Sequence, residues 1–177
     1  FFFKQKTAYE ISTRDWSSDV CSSDLTFTHI PAGRALNVLV KLVSELTIMN
    51  PDDVWQYISK RVSEENNSDL EIELSFFPSL AGSTGRLSNV REDNLTIGKL
   101  FKSAVDQMAK DYKRFARELY PRGDFSAVVV SGGLPTRFEP LLSAIKHEFG
   151  AARYRVFSSE DASLEGLRRI TSQHFFN

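Results

Sequence analysis

The segment Ser131-Gly132-Gly133 is the strongest candidate for a ligand-binding site, by its residue types and by its position. It follows the apolar run 127–130, which predicts a strand buried on both faces, and it precedes a stretch with helical periodicity. Glycines at the carboxyl end of a strand let a ligand approach the backbone, and they leave amide N–H groups free to face a phosphate or a ribose. A tight turn without a ligand explains the spacing equally well. The segment contains neither the Gly-Lys-Ser/Thr of a P-loop nor the three-glycine dinucleotide fingerprint.

Paired carboxylates and histidines are the other candidates for catalysis or metal binding. Asp52 and Asp53 stand in a predicted first helical turn, where the helix dipole alone favours acids. Glu71 and Glu73 alternate with apolar residues in a predicted strand, so we interpret them as solvated side chains. The histidines lack metal-ligand spacing and are far apart, at His29, His147 and His174. We therefore assign no catalytic residue and no metal ligand from these patterns.

Hydrophobic periodicity predicts the elements of the first two thirds of the chain. Residues 35–46 and 54–62 have the one-faced apolar spacing of amphipathic helices. Apolar and charged residues alternate over 70–74, which predicts a strand with one solvent-exposed face. Residues 76–86 are predicted to form a loop that contains glycines. The longest apolar stripe follows, and Asn94 is positioned to cap its helix.

The last third alternates between strand and helix patterns. The apolar strand 127–130 is followed by a helix with its inner face at 138–149, by a strand at 154–157, and by a last helix that Ser158-Ser159 could cap. This order with short links predicts an α/β fold with parallel strands and a right-handed crossover. In such sheets ligands bind at the carboxyl ends of the strands, where the glycine pair stands.

Residues 1–25 resemble translated laboratory DNA. The peptides of residues 4–11 and 15–25 match, in order, codons of one short-read sequencing adapter, and residues 12–14 occupy the place of its index. We therefore expect 1–25 to be a non-native, adapter-derived segment without a fold of its own. The natural sequence would then start at Thr26, as a domain truncated at its N-terminal side.

Composition outside residues 1–25 argues against several classes of protein. That segment holds three of the 22 basic and four of the 23 acidic residues, which leaves 19 of each and no excess charge for nucleic acid. It also holds Cys21, the one cysteine of the chain, so the remainder has no thiol for a disulfide or a nucleophile. No apolar run approaches the length of a membrane span. We expect a cytoplasmic protein without nucleic-acid or membrane partners.

Residues 26–177 resemble the C-terminal nucleotide-binding domain of the FGGY family of carbohydrate kinases. The segments VVVSGG and EDASLEGL carry the resemblance, with LSFFPSLAG similar to the family's Pro-x-x-x-Gly loop and NLTIGKLFKSAVDQMAKDY similar to the helix after it. Their order and spacing are most similar to the sedoheptulokinase branch. The resemblance implies an actin-like, ribonuclease-H-like ATPase fold, in which two domains close on a sugar and ATP.

The same resemblance implies roles for individual residues. Gly132 and Gly133 would hold the adenine and ribose end of ATP, and Ser131 would precede them at the strand end. Leu134 and Arg137 would flank the nucleotide. The implied chemistry is transfer of the ATP γ-phosphoryl group to a sugar hydroxyl, with Mg²⁺ bridging the phosphates.

The family's catalytic aspartate and sugar-binding domain would both lie upstream of Thr26. We therefore expect this chain to be the ATP-binding half of a kinase that meets its sugar through the missing domain and is inactive alone. Residues 82–84 (Gly-Ser-Thr) and 164–166 (Leu-Glu-Gly) depart from the common family pattern. These departures favour an alternative, a non-catalytic binding or regulatory domain with the actin-like fold.

Overall fold

The computed structural model describes residues 30–45, 51–78 and 82–157, which form a mixed α/β structure. The predicted non-native segment 1–25 and the predicted last helix after residue 157 lie outside the described residues. The described helices and strands are α1 (Gly33–Ser44), α2 (Pro51–Ser63), β1 (Glu71–Glu73), β2 (Arg86–Ser88), α3 (Ile97–Leu119), β3 (Ala127–Ser131), α4 (Gly133–Arg137), α5 (Glu139–Phe149) and β4 (Arg153–Phe157).

The first three helices confirm the amphipathic patterns. Leu36 of α1, Ile58 of α2 and Phe101 and Met108 of α3 are fully buried, and each belongs to a stripe spaced three and four residues apart. These stripes form one apolar core with the inner faces of β1, β3 and α5. Among the described helices, none is long and apolar enough to cross a membrane.

The N-terminus of α3 differs from the prediction. Its cap is Thr96, whose extended backbone (φ −118°, ψ 159°) lets the side chain accept a hydrogen bond from the Lys99 amide at 3.2 Å. Asn94 was predicted as the cap, but it is completely buried and its side chain bonds to residues outside the helix. The cap prediction was wrong: the cap lies two residues later, and the Asn94 side chain bonds to Asn89, Arg91 and Asp69 instead.

A two-stranded antiparallel sheet covers one side of α3. In it Ile72 of β1 is buried and pairs with Leu87 of β2, and Glu73 faces Arg86 in an ion pair at 2.6 Å. Strand β2 was not predicted, and the loop expected over residues 76–86 overlaps its first residue, Arg86. Gly85 has a packing role in that loop, since a Cβ there would lie 2.9 Å from the Glu73 carbonyl oxygen.

The second sheet confirms the predicted parallel pair. β3 and β4 run parallel, with Ala127 opposite Arg153 at one end and Ser131 opposite Phe157 at the other. The connection holds two helices where the sequence predicted one, and the break falls at Phe138 (φ −116°, ψ 83°). Pro140 explains the break: it lacks a backbone N–H and fits only the first turn of a helix.

The prediction that β3 is covered on both faces was wrong. Val128 and Val130 are 5% and 0% exposed, whereas Val129 between them is 49% exposed. Alternate residues of a strand point to opposite faces, so the helices cover the face of Val128 and Val130 alone. The apolar run therefore predicted the strand correctly, but it did not predict that one face of the strand is exposed.

Candidate functional site

The chain turns sharply where β3 ends. Gly132 has φ 100° and ψ 163°, a conformation that side-chain-bearing residues rarely adopt, and α4 starts at the next residue. The Thr136 hydroxyl lies 2.9 Å from the carbonyl oxygens of both Gly132 and Gly133, where it can donate to either. The turn is therefore held in place by the short helix that it begins.

Open space lies beside both glycines. A Cβ built at Gly132 or Gly133 would meet no atom of the described residues within 4 Å. At Gly132 the backbone conformation requires glycine, but Gly133 lies outside the positive-φ region and has no packing neighbour. Neither backbone strain nor packing accounts for glycine at 133.

A cleft of about 530 Å³ opens next to Gly133. This volume falls in the range of roughly 300–1,000 Å³ that is typical of small-molecule sites. Helices α1 and α2 form one side of the cleft, and α4 with Phe138 forms the other. The lining residues are Gly33, Asn37, Asp52, Trp55, Gln56, Ser59, Gly133, Leu134, Arg137 and Phe138.

The apolar part of the cleft is fixed by contacts between its two sides. The Trp55 and Phe138 rings meet edge to face, with centroids 5.2 Å apart and an interplanar angle of 72°. Phe138 is 3% exposed and belongs to the core. Leu134 packs beside Gly33, where its Cδ2 lies 3.5 Å from the position of a Cβ. The packed core thus holds an apolar surface at the end of β3.

The polar residues that line the cleft include Asn37, Asp52 and Gln56, which we call the polar wall. All three residues are exposed and line the cleft. Within the described residues, none of them makes a hydrogen bond or an ion pair. Within the described part of the chain, a ligand could therefore bond to these acceptors and donors without breaking a contact of the fold.

The structure brings together three of the five site residues implied by the family resemblance. Gly133, Leu134 and Arg137 line the cleft, while Ser131 and Gly132 precede it and form the turn without lining it. The sequence reasoning did not include Asn37, Trp55 or Gln56, and it attributed Asp52 to the helix dipole. A signal for α2 was present, since Asp52, Trp55, Gln56 and Ser59 have the i, i+3, i+4, i+7 spacing of one helix face.

Few charged groups line the cleft. Among its lining residues Asp52 is the carboxylate and Arg137 the cation. Within the described part of the chain, no three His, Cys, Asp or Glu side chains come together as a possible metal site. The described residues thus offer Mg²⁺ no cage of hard oxygen ligands, and we assign none to it.

Shifted pKa values occur away from the cleft. Burial raises the pKa of Asp111 above its ordinary value, although a hydrogen bond with Gln107 and the charge of Arg114 oppose that shift. Burial also raises the pKa of Tyr112 and of Tyr154. These groups lie on α3 and β4 and do not line the cleft.

No protein-family model matches the sequence, and a search of curated proteins finds no match. Support for a ligand at this cleft therefore comes from the structure alone: from its volume, its lining residues and the space beside Gly133.

Proposed function

We propose that this chain is the ATP-binding part of a carbohydrate kinase, with the nucleotide in the cleft beside Gly133. The observation that carries the proposal is the unfilled space at Gly133, which opens into a cleft with an apolar surface and with the polar wall, whose side chains have no partner within the described residues. An aromatic base with a ribose needs both kinds of surface.

The position of the cleft in the fold supports the same proposal. It lies just beyond the carboxyl end of β3, a strand that pairs in parallel with β4. In open α/β sheets ligands bind outside the carboxyl ends of strands. The parallel pair and its intervening helices are compatible with the actin-like, ribonuclease-H-like fold that the family resemblance implies, and we include that fold in the proposal.

In the proposed reaction the γ-phosphoryl group of ATP is transferred to a sugar hydroxyl, and an aspartate accepts the proton of that hydroxyl. The products are ADP and a sugar phosphate. The residues described here would bind and orient the nucleotide. By the family resemblance, the aspartate and the sugar site would belong to sequence upstream of Thr26.

The first test is ATP binding to the 177-residue chain by isothermal titration calorimetry. Replacing Gly133 by Val places a branched side chain in the open space, so we expect ATP affinity to fall by about tenfold or more, which corresponds to roughly 1.4 kcal/mol. Ala127→Val is the matched control. It adds a branched side chain at the exposed, opposite end of β3 and should leave ATP affinity unchanged.

Two results would contradict the proposal. Absence of ATP binding by the unaltered chain would remove the nucleotide site altogether. Equal ATP affinity of the unaltered chain and the folded Gly133→Val variant would place the nucleotide elsewhere.

The kinase part of the proposal needs a separate assay. ATP consumption should be measured against a panel of ketoses, aldoses and polyols, with this chain and with a protein extended upstream of Thr26. We expect sugar-dependent turnover from the extended protein only, because phosphoryl transfer requires base, hydroxyl and γ-phosphate to be positioned together. ATP binding without turnover by the extended protein would favour the non-catalytic actin-like domain.

A further inference from the structure

The polar wall differs in charge from the opposite side of the cleft. Asp52 belongs to α2 and Arg137 to α4, the helix that begins at Gly133, and both line the cleft; Arg137 also has an interaction in the chain. The carboxylate of Asp52 repels the anionic end of a ligand and accepts hydrogen bonds from a neutral end. The guanidinium of Arg137 attracts the anionic end. A nucleoside phosphate is a ligand with both ends.

Asp52 has a structural explanation that must be separated from a binding role. It stands in the first turn of α2, where a negative charge interacts favourably with the helix dipole. Asp53 stands in the same turn and has the same charge, so the dipole explains both residues equally. Only Asp52 of this pair lines the cleft, and within the described residues it has no partner, whereas Asp53 has an interaction in the chain.

We infer that Asp52 is a specificity-determining residue of the cleft, which accepts hydrogen bonds from hydroxyl or amino groups of a nucleoside and directs the phosphates toward Arg137. This inference rests on the proposed nucleotide site. An ionised carboxylate has acceptors and no donor, so it binds O–H and N–H groups and repels phosphate oxygens. Asn37 and Gln56 flank it with amide groups that accept and donate.

The test compares Asp52→Asn with the matched control Asp53→Asn in the 177-residue chain, with adenosine and ATP as probes in calorimetry. Asp52→Asn keeps the shape of the side chain but removes the charge, so adenosine affinity should fall about tenfold, because hydrogen bonds to charged groups are stronger than neutral ones. ATP affinity should fall less, since the same change removes repulsion of the phosphates. Asp53→Asn should change either affinity by less than about twofold.

Two adenosine analogues identify the group that Asp52 binds. If a 2′- or 3′-hydroxyl of the ribose is the donor, the loss caused by Asp52→Asn disappears with 2′,3′-dideoxyadenosine, which lacks both. If the base is the donor, it disappears with purine riboside, which lacks the exocyclic amino group. Both variants lose a similar helix-dipole interaction, so similar melting temperatures would show that a difference in binding is not a difference in folding.

The failures of the two proposals are distinguishable. If ATP affinity depends on Gly133 but Asp52→Asn binds adenosine as tightly as the unaltered chain, the role of Asp52 is wrong and the nucleotide site stands. A loss that persists undiminished with both analogues would also overturn the role of Asp52. If the unaltered chain binds neither adenosine nor ATP, both proposals fail.

Discussion

Two groups of polar side chains differ in how far the fold itself uses their hydrogen-bonding capacity. The Asn94 cluster consists of Asp69, Asn89, Arg91 and Asn94, near the β1–β2 sheet and the start of α3. Asn94 donates to the Asp69 carboxylate at 3.1 Å and to the Asn89 carbonyl at 2.9 Å. It accepts from the Arg91 amide at 2.7 Å, and the Arg91 guanidinium pairs with Asp69. Within the described residues, the polar wall of the cleft makes no comparable bond.

Burial explains this difference. Asn94 is 0% exposed, and a buried polar side chain without partners would cost the free energy of its desolvation, so the fold must satisfy it. The polar wall is open to solvent and needs no partner in the protein. Polar residues of the first kind hold the fold together, whereas those of the second kind are available to a ligand.

The largest effect that would test this contrast is expected from Asn94→Ala. It removes three hydrogen bonds and leaves a cavity, so we expect the free energy of unfolding to fall by about 2–3 kcal/mol. Urea denaturation measures that loss. Asn37→Ala in the polar wall is the counterpart, and it should change stability by less than about 0.5 kcal/mol while it weakens ATP binding. A large loss of stability in Asn37→Ala would contradict the contrast.

The adjacent glycines offer a second, somewhat smaller test. Gly132→Ala forces a side chain into the φ 100° conformation and should destabilise the protein by about 1–3 kcal/mol. Gly133→Ala meets neither strain nor a clash, so its stability should be unchanged or higher by about 0.4–1 kcal/mol, while ATP affinity falls. Thermal unfolding and calorimetry on both variants check the pair. Equal destabilisation would show that both glycines only form the turn.

The smallest effect concerns Asp111, a buried carboxyl with partners. Burial raises its pKa in the folded state above the unfolded value, so the folded state binds the proton more tightly. Its contribution to stability is then fully present below the unfolded pKa and is lost as pH rises through the folded pKa. Residue 111 cannot titrate in Asp111→Asn. The free energy of unfolding of this variant, relative to that of the unaltered chain, should therefore increase as pH rises from the unfolded to the folded pKa of Asp111 and should level off above the folded pKa.

Urea denaturation at a series of pH values measures this difference between Asp111→Asn and the unaltered chain. A difference that stays constant with pH would show that the carboxyl titrates alike in both states. A difference that falls with pH would show that the interactions with Gln107 and Arg114 outweigh burial.

The sequence predicted those elements whose signal is local. The stripes of α1, α2 and α3 follow from periodicity within one helix, and the parallel strands follow from apolar runs with a short crossover. The turn at Gly132 could be predicted as well, because glycine pairs after strands mark sharp changes of direction.

The features that were missed depend on partners far away in the chain. Asn94 has the residue type of a helix cap, but its side chain bonds Asp69, 25 residues earlier. Strand β2 exists because it pairs with β1 across a loop. The cleft likewise joins α2 to α4, whose residues lie about eighty positions apart in the chain. No local pattern predicts such pairs.

The most direct test of the nucleotide site is a crystal structure of the chain with a non-hydrolysable ATP analogue. The nucleoside should lie in the cleft against Gly133 and Leu134, with a ribose hydroxyl or the base amino group within about 3.2 Å of the Asp52 carboxylate. The phosphates should extend toward Arg137. An analogue bound outside the cleft, or a cleft that remains empty at saturating analogue, would contradict the account.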